Sequence, residues 1–327
     1  MIGKYNDCLN PVFISAKNDN VTFLRVRCGH CFYCKLHRRS EWSMRLQMES
    51  LYWKDISFLT LTYNDENLPY NIVDSRLVFN EEDLQDHPEL KEVYYPTLRA
   101  RDLQLFIKRL RKFGFGEEHN FSDFKWPDCK VERRKGFKFF GVGEYGTLKG
   151  RPHLHILLFG IAPTEENAVR FQEIWNKGFV NLRPAFPETC KYIAGYVQKK
   201  LYGSESKSYL KLPEFLRCSQ HLGQDWIVDN ISIFDDEHQY IPFKGKDGKS
   251  YPHGIPRTFR KFLVEQGRLS PFNFEDFYNL QLEDGENFHA YLESLGLSFT
   301  EFMRARRKEA EHIEELVLSK RKLTGDI

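Results

Sequence analysis

Alternating apolar and polar residues predict three strands in the first half of the chain. Residues 56–63, ISFLTLTY, alternate bulky and hydroxylated side chains, are rich in β-branched and aromatic types, and end at a turn signal, Asn64-Asp65. Two further strand-like runs, at 137–146 and 153–160, are separated by the turn-rich link TLKGRP. We therefore expect the second and third runs to pair as a hairpin.

A second periodicity, of about 3.6 residues, predicts the helices. Within residues 97–113, four apolar residues recur at i, i+3, i+4 and i+7, so they form one helical face, and Gly114 follows as a C-cap. The four apolar residues are Leu103, Phe106, Ile107 and Leu110. Four more helices are expected, at residues 36–53, 163–175, 189–202 and 298–322.

Capping residues mark the ends of two of these helices. Pro163 and Thr164 open the first of them, and Gly178 is expected to close it. Ser298 and Glu301 have capping-box spacing at the start of the last predicted helix. These residues predict where the helices begin and end more closely than the periodicity alone.

The order of the predicted elements indicates an α+β fold. With a short strand at 179–186, FVNLRPAF, the order is β-α-β-β-α-β-α. We expect a mostly antiparallel central sheet with helices packed on one face, an N-terminal cysteine-rich zinc-binding element and a helical C-terminal extension. The expected domains are residues 1–55, a cysteine-rich head and helix; 56–203, the sheet-containing core with an acidic insertion at 64–96; and 204–327, an extension that is loop-rich up to about residue 274.

The composition favours a protein that works in the cytosol. The 327 residues are 41% hydrophobic and 29% charged, and the chain has no apolar run of the roughly 20 residues that a membrane span requires. The first ten residues, MIGKYNDCLN, lack the apolar core of a signal peptide. Without export, the odd count of seven cysteines indicates reduced thiols or metal ligands rather than a disulfide framework.

Charge is clustered, although the net charge is only +2. Any one charged run is most often a solvated face. The outer face of the helix at 97–113 nevertheless carries a row of cations suited to DNA phosphates, and with Arg151 they form the candidate DNA-binding set: Lys108, Arg109, Arg111 and Lys112. Other basic runs lie at 35–45, 131–138 and 304–308, and acidic runs lie at 65–92 and 275–286.

The run RPHLHILLFG contains a candidate metal site. His153 and His155 are two residues apart on a predicted strand, so both imidazoles point from one face while Leu154 points to the core. Hairpin geometry can bring Glu144 opposite them. Two imidazoles and a carboxylate leave coordination positions open for Mg²⁺ or Mn²⁺ to hold a phosphate oxygen. The plainer interpretation is a pair of polar residues on the wet face of an edge strand.

The run KYIAGYVQKK contains candidate nucleophiles. Tyr192, Tyr196, Lys199 and Lys200 share one face of the predicted helix. We expect the other face to pack on the sheet, so that the phenols and ammonium groups point outward. A phenol with a pKa near 10 is a weak nucleophile, but a neighbouring cation and a metal-polarised phosphate lower the barrier. The alternative is that the tyrosines only pack and the lysines only solvate a helix end.

The N-terminal segment contains a cysteine cluster. Cys28, Cys31 and Cys34 form C-x2-C-x2-C, and Cys8 lies upstream, which predicts a tetrahedral zinc site with His30 as a substitute ligand. Unmetallated thiols and an iron–sulfur cluster are the alternatives. The remaining cysteines are scattered and expected to be inert: Cys129, Cys190 and Cys218.

Taken in order, these segments resemble the HUH (His-hydrophobic-His) endonucleases, and more narrowly the replication initiators of gokushovirus-like microviruses, which are small phages with circular single-stranded DNA. FLTLTY resembles their first motif, GRPHLHILLFG their metal motif and YIAGYVQKK their two-tyrosine motif. CGHCFYCKLHRRSEW and GEYG also resemble this phage group. Each motif alone is weak, and their order is specific. The resemblance covers most of residues 8–203 and, more loosely, LPEFLRCSQHLG and YPHGIPRTFRKF.

The resemblance implies rolling-circle replication. The expected reaction is a site-specific nick in one strand of a single-stranded origin, through a 5′-phosphotyrosine, leaving a 3′-hydroxyl primer; a second tyrosine would allow rejoining. Tyr196 is expected to attack first, because it is nearer the lysines, with Tyr192 as its alternate. The implied partners are origin DNA and the host helicase and polymerase in the cytoplasm of a bacterial cell, without a membrane.

Two other functions remain open. A metal-dependent hydrolase of small molecules would need ligands beyond the histidine pair, and the remaining candidates stand in polar or loop-like settings: His221, His238, His253 and His289. A non-catalytic zinc-containing nucleic-acid-binding protein would need only the cysteine cluster and IKRLRK, but it leaves the histidine pair and tyrosine helix unexplained. A further hypothesis is that the basic run at 304–308 grips duplex or displaced strand.

Overall fold

The structure is a computed structural model that covers most of the chain. It describes residues 8–16, 19–80, 83, 85, 87, 89, 91–115, 136–146, 150–199, 210–244, 250–271 and 273–324. The chain divides into two compact units, one formed by Met1–Ser40 with Ser232–Asp326 and the other by Glu41–Ile231. The three-part division expected from the sequence stays a prediction.

The described strands and helices are numbered here in chain order. The strands are β1 (Val12–Ala16), β2 (Asp19–Val26), β3 (Ile56–Tyr63), β4 (Tyr70–Asp74), β5 (Glu92–Pro96), β6 (Lys138–Tyr145), β7 (Pro152–Phe159), β8 (Gly178–Pro184), β9 (Phe215–Cys218), β10 (Tyr240–Lys244) and β11 (Ser250–Gly254). The helices are α1 (Phe32–Ser50), α2 (Ala100–Lys112), α3 (Glu165–Trp175), α4 (Pro187–Lys199), α5 (Gln224–Asp229), α6 (Arg257–Glu265), α7 (Phe274–Ser294) and α8 (Phe299–Thr324), with short 3-10 turns at Ser75–Leu77 and Ile231–Ile233.

The unit Glu41–Ile231 is built on a five-stranded sheet in the order β8-β3-β7-β6-β9. Every neighbouring pair is antiparallel, and β6 and β7 form the predicted hairpin. The α+β fold with an antiparallel central sheet is therefore confirmed.

The outermost strand, β9, contradicts the loop-rich structure expected before residue 274. Its four residues pair with β6, and Phe215 lies opposite Gly143. A Cβ atom on Gly143 would stand 2.5 Å from the Phe215 ring, so this pairing requires glycine. A four-residue strand has too little alternation to be recognised from the sequence, and its partner is distant along the chain.

Helices cover both faces of the sheet, so the expectation of one covered face was wrong. On one face, the α2–α3 face, Leu59, Leu61, Leu154, Ile156 and Leu158 pack with apolar residues of α2 and α3. On the other, the α4 face, the buried core contains Phe140, Val142, Leu157, Phe159, Leu46 of α1, and Ile193, Ala194 and Val197 of α4. The continuous run ILLF in β7 has this cause, because a strand buried on both faces has no polar alternation.

The predicted caps agree with the structure except at one helix end. The side chain of Thr164 accepts a hydrogen bond from the Asn167 N–H at the start of α3, and Gly114 takes the left-handed conformation after α2. Helix α3 is closed by Asn176, also left-handed, whereas Gly178 is the first residue of β8. Asparagine tolerates this conformation better than other non-glycine residues, and it lies two positions closer to the last helical turn.

The insertion at 64–96 contains regular structure of its own. Strands β4 and β5 pair as a separate two-stranded antiparallel sheet. This hairpin lies outside the central sheet, so it does not change the order of the core strands.

The unit formed by Met1–Ser40 and Ser232–Asp326 contains two hairpins, β1-β2 and β10-β11, together with α6, α7 and α8. The capping box of α8 forms as predicted, since the Ser298 N–H donates to Glu301 at 2.9 Å and the Glu301 N–H donates to the Ser298 hydroxyl at 3.3 Å. Over the part of the chain that the structure covers, no helix combines the length and the apolar character that crossing a membrane requires.

Candidate functional site

The register of the central sheet brings the two histidines and the glutamate to one face. His153 pairs directly with Glu144 on β6, and His155 pairs with Thr60 on β3. Leu154, between them, lies in the core of the opposite face. The two-residue spacing therefore places both imidazoles on the α4 face, because successive side chains of a strand point to opposite sides.

Both ring nitrogens of His155 have partners. Its Nε2 lies 2.9 Å from Oε1 of Glu144, and its Nδ1 lies 3.1 Å from the Thr60 hydroxyl. The ring is 2% exposed and stacks on Phe58 at 5.7 Å between centroids. A buried polar ring needs such partners, and here they hold it at a fixed angle.

His153 is less constrained. Its ring is nearly parallel to that of His155, with centroids 6.3 Å apart. Its Nδ1 atom is buried and makes no hydrogen bond of normal geometry to the described residues. Burial, and then the neighbouring His155, lower the pKa of His153, which Glu144 partly opposes. A buried neutral imidazole of this kind is suited to act as a metal ligand.

The donor set fits a divalent metal in kind. Two imidazoles and one carboxylate suit a cation with open coordination positions. In the described structure, however, only the cysteine cluster brings three or more ligand atoms within 4.8 Å of one another. Glu144 instead bonds directly to His155, so a cation shared by all three residues would replace this hydrogen bond.

Helix α4 places the two predicted tyrosines against the histidine strand. The Tyr196 ring stacks on the His155 ring, with centroids 4.6 Å apart and planes 13° apart. The hydroxyls of Tyr192 and Tyr196 contact each other, and Tyr192 also meets the edge of Phe58. The two phenols, the histidine and the glutamate therefore lie together.

The expectation that the phenols point away from the sheet was wrong for Tyr196. Tyr196 is 4% exposed, beside the buried residues Ile193, Ala194 and Val197, whereas Tyr192 is 41% exposed. The apolar stripe and Tyr196 occupy one broad face, because residues i+3 and i+4 are neighbours on a helix. Only Tyr192 lies at the solvent side of this packing.

The predicted cations are distributed differently. Lys199 is the last residue of α4, but its side chain and all of Lys200 lie outside the described residues. Arg151 donates to Asp65 at 2.7 Å and to the Tyr63 carbonyl at 3.0 Å, two positions before His153. This arrangement keeps Arg151 near the candidate metal ligands.

The basic set of α2 lies across the sheet from the tyrosines. Helix α2 packs on the α2–α3 face, where Arg109 donates to the Ile174 carbonyl at 3.1 Å and Arg111 lies 5.5 Å from the Phe137 ring. The structure therefore does not bring the set to the histidine pair. The set consists of Lys108, Arg109, Arg111 and Lys112.

Two residues of the site were missed by the sequence analysis. Thr60 and Phe58 contact both sides of the His155 ring through a hydrogen bond and a stacked pair. The alternation of ISFLTLTY does place them on one face of β3. Their partners depend on the pairing register with β7, which the sequence of β3 does not contain.

The cysteine cluster forms in the unit that contains the N-terminal segment. The four sulfur atoms of Cys8, Cys28, Cys31 and Cys34 all lie within 4.8 Å of one another. Burial would raise the pKa of Cys28, but the backbone N–H groups of His30 and Cys31 donate to its sulfur and lower the pKa to about 7. The cluster is suited to a tetrahedral metal ion, and Cys8 rather than His30 supplies its fourth atom.

The remaining cysteines and histidines fit the plainer interpretation. Cys190 is buried, and burial raises its pKa to about 12, so it is a poor thiolate at neutral pH; Cys218 is partly buried, and Cys129 lies outside the described residues. Four further histidines bond to local partners: His221 to Gln224, His238 to Asp235, His253 to Ser40 and His289 to Glu293. Over the described ranges none of these four joins a group of metal ligands.

A comparison with solved structures finds the N-terminal nuclease domain of the Minute virus of mice non-structural protein 1. It covers 70% of this chain and 98% of that domain, at 14% identity and a TM-score of 0.18. At that score the likeness carries no argument about the fold or the site.

Relatives found by sequence are more informative. The chain is 28% identical to the replication-associated protein ORF2 of Spiroplasma virus 4, over 74% of this chain and 68% of that protein. It is 26% identical to the replication-associated proteins ORF4 of Chlamydia phage 1 and VP4 of Bdellovibrio phage phiMH2K, over 72% and 61% of this chain, and spans only 53% and 56% of their lengths.

Residues 56–201 also match the sequence model of a family of replication-associated proteins, the ORF2 family. This range begins with β3 and contains the histidine strand and the tyrosine helix. The predicted resemblance to phage replication proteins is confirmed: the chain is similar to the replication-associated proteins of small bacteriophages, and its sheet-containing core matches the ORF2 family.

Proposed function

We propose that this chain initiates rolling-circle replication as a metal-dependent tyrosine transesterase of the HUH type, which nicks and rejoins one strand of a single-stranded origin. Its similarity to phage replication-associated proteins supports the coarser role in replication. The observation that carries the nicking chemistry is the stack of Tyr196 on His155, with the Tyr192 hydroxyl against that of Tyr196.

The proposed reaction is a balanced exchange of esters. A tyrosine oxygen forms a bond to the phosphorus, the bond from phosphorus to the 3′-oxygen breaks, and the net transfer of the phenol proton leaves a 3′-hydroxyl. The products are a 5′-phosphotyrosine and a primer end. The reverse reaction rejoins the strand, and no cofactor is consumed, because one phosphodiester replaces another.

His153, His155 and Glu144 would hold the metal, Mg²⁺ or Mn²⁺, which when bound supplies Lewis-acid polarisation of the phosphate. The protein supplies position. Thr60 fixes the angle of His155 through its hydrogen bond to Nδ1, and the His155 ring in turn supports Tyr196. Such fixed geometry is worth a large part of the barrier in phosphoryl transfer.

Both tyrosines remain proposed nucleophiles. Their hydroxyls contact each other, so a phosphate beside one is within reach of the other. The assignment of Tyr196 to the first cut depends on Lys199 and Lys200, which are proposed to stabilise the phenolate. The greater exposure of Tyr192 supports a role in meeting the incoming strand, and comparison of the two single variants decides the order.

The test is an incubation of the full chain with single-stranded oligonucleotides that carry candidate origins, with Mn²⁺, followed by a denaturing gel. We expect a slower covalent adduct that the double variant Tyr192→Phe/Tyr196→Phe and His153→Ala both lose. The matched control is Tyr94→Phe, an exposed tyrosine of the β4-β5 hairpin, which should keep the adduct.

Other outcomes support the rival functions. Binding of DNA without an adduct under every metal and origin tested would overturn the nickase and support a plain nucleic-acid-binding protein. Hydrolysis of a small substrate with no effect on DNA would support the hydrolase. If the double variant still forms the adduct, the phenols are not the nucleophiles.

We also propose that the cysteine cluster holds a structural zinc ion, since four close sulfur atoms suit zinc better than hard cations. Elemental analysis of the purified full chain should find about one zinc per chain, lost in Cys28→Ser and kept in Cys190→Ser. Iron in place of zinc would support an iron–sulfur cluster, and no metal would support free thiols.

The proposed partners follow from the proposed reaction. The chain would act on the origin of a circular single-stranded genome in the cytoplasm of a bacterial host. The free 3′-hydroxyl would pass to the host polymerase, with a host helicase to open the duplex form.

A further inference from the structure

The edge strand β8 extends the α4 face beyond the candidate site. Three alternate residues of β8, Phe179, Asn181 and Arg183, share this face, because each pairs directly with a residue of β3 that also lies on it. Their partners on β3 are Thr62, Thr60 and Phe58, in that order. None of the three β8 residues belongs to the sets predicted from the sequence.

The same residues of β3 connect β8 to the histidines. Thr62 pairs with Phe179 on one side and with His153 on the other, and Thr60 pairs with Asn181 and with His155 in the same way. Two rows therefore run across three strands. Neighbouring strands are about 4.8 Å apart, so Phe179 starts about 10 Å from the histidine strand.

The β8 half of the α4 face is open. Helix α4 packs on β6 and β7, whereas Phe179 is 68% exposed and Asn181 and Arg183 are exposed as well. The alternate residues Val180 and Leu182 pack in the core of the α2–α3 face. An aromatic ring that the fold leaves in water beside a polar strip needs another explanation than packing.

The chemistry of the three side chains matches single-stranded nucleic acid. Arg183 Nε donates to Asn181 Oδ1 at 2.9 Å, which orients the guanidinium and leaves its terminal nitrogens for a phosphate. Among the described carboxylates, none forms an ion pair with Arg183. An exposed ring next to such a cation is how proteins hold unpaired strands, with the base stacked and the backbone neutralised.

We propose that Phe179, Asn181 and Arg183 form the surface that holds the DNA strand next to the phosphate to be cut. Phe179 stacks on a base, Arg183 contacts a phosphate, and Asn181 orients Arg183. The inference rests on the proposed function, because the rows lead to the tyrosines. It assigns the strand to the α4 face, across the sheet from the α2 cations.

The test measures binding apart from cutting. A short fluorescein-labelled single-stranded oligonucleotide of mixed sequence is titrated with the full chain in chelator, and its anisotropy is followed. Phe179→Ala should weaken binding about tenfold, the loss expected for one stacked base, whereas Phe179→Tyr should keep the affinity. Arg183→Gln should also reduce the slope of log affinity against log salt by about 0.7, as expected for one phosphate contact.

Matched controls lie on the opposite side of the sheet. Phe113→Ala removes a ring of similar exposure at the end of α2, and Lys108→Gln removes an exposed cation of the same helix. Neither should change the affinity more than about twofold, a few tenths of a kcal/mol. An unchanged thermal midpoint for Phe179→Ala would show that the loss is not unfolding.

The outcomes separate this inference from the proposed function. If the wild type forms the covalent adduct but Phe179→Ala and Arg183→Gln bind like the wild type, the β8 surface is overturned and the nickase stands. If no adduct forms but both variants lose affinity and Phe179→Tyr does not, the nickase is overturned and the β8 surface stands. Equal losses in the control variants would overturn the β8 surface.

Discussion

The two faces of the central sheet differ in what covers them. The α2–α3 face is apolar across β3 and β7, with Leu61 and Leu154 under the two helices. The α4 face is apolar only beneath α1 and α4, and it becomes polar towards the row that holds Glu144 and His153. One face therefore forms a closed core, and the other combines a core with a polar strip.

This difference separates the sources of stability and chemistry. Burying His155 costs free energy unless its nitrogens are hydrogen-bonded, and Thr60 and Glu144 provide those bonds. A sheet that only had to fold would lose little if apolar residues replaced this group. Substitutions of neighbouring residues in β7 should consequently act on different properties, according to the face on which each side chain lies.

The largest expected effect on stability comes from Leu154→Ala. Leu154 is fully buried in the core of the α2–α3 face, so its truncation leaves a cavity that should cost about 2–5 kcal/mol in the free energy of unfolding. Urea unfolding followed by circular dichroism measures it. The fraction that stays folded should still form the adduct, and a tenfold loss of adduct per folded molecule would contradict the separation of the faces.

His153→Ala should have the opposite profile. Its Nδ1 atom makes no hydrogen bond of normal geometry among the described residues, so its removal should change the unfolding free energy by less than about 1 kcal/mol. As a proposed metal ligand, its loss should slow adduct formation about 100-fold or more. Initial rates at saturating Mn²⁺ measure the effect, and a rate within threefold of wild type, an arbitrary limit of roughly 0.6 kcal/mol, would contradict it.

The closed face could be predicted well from the sequence. The four apolar residues of α2 recur at helical spacing and are all buried, and the hairpin of β6 and β7 follows from a turn-rich link between two strand-like runs. These signals are local, because each element carries its own period and its own caps. The spacing of His153 and His155 is local in the same sense.

The open face could be predicted only in part. The pairing of Thr60 with both His155 and Asn181 depends on strands that are distant in the sequence. The inward turn of Tyr196 depends on which side of α4 meets the sheet, and the helix pattern allowed either side to carry the phenols. The surface on β8 was missed because Phe179 and Arg183 form an ordinary alternating strand, and only the register connects them to the histidines.

A smaller effect is expected for Thr60→Val, which sharpens the comparison within the α4 face. Valine suits a strand but cannot bond to the Nδ1 atom of His155, so the variant should lose about 0.5–1.5 kcal/mol of stability, and nicking should slow by a few-fold to about tenfold. Thr62→Val, on the same strand and face, is the matched control. Equal effects of both would mean that the hydrogen bond to His155 does not position the site.

The smallest effect is expected for the double variant Lys108→Gln/Lys112→Gln. Both cations lie on α2, so a strand held at the tyrosines would have to pass around the sheet to reach them. Binding of a short single strand should weaken less than about twofold, and the salt dependence should stay the same, because no phosphate contact is lost. Anisotropy titrations at several salt concentrations measure both. A slope reduced by about 1.4, as for two lost contacts, would make α2 the DNA surface, as its sequence first suggested, and would end the assignment of the strand to the α4 face alone.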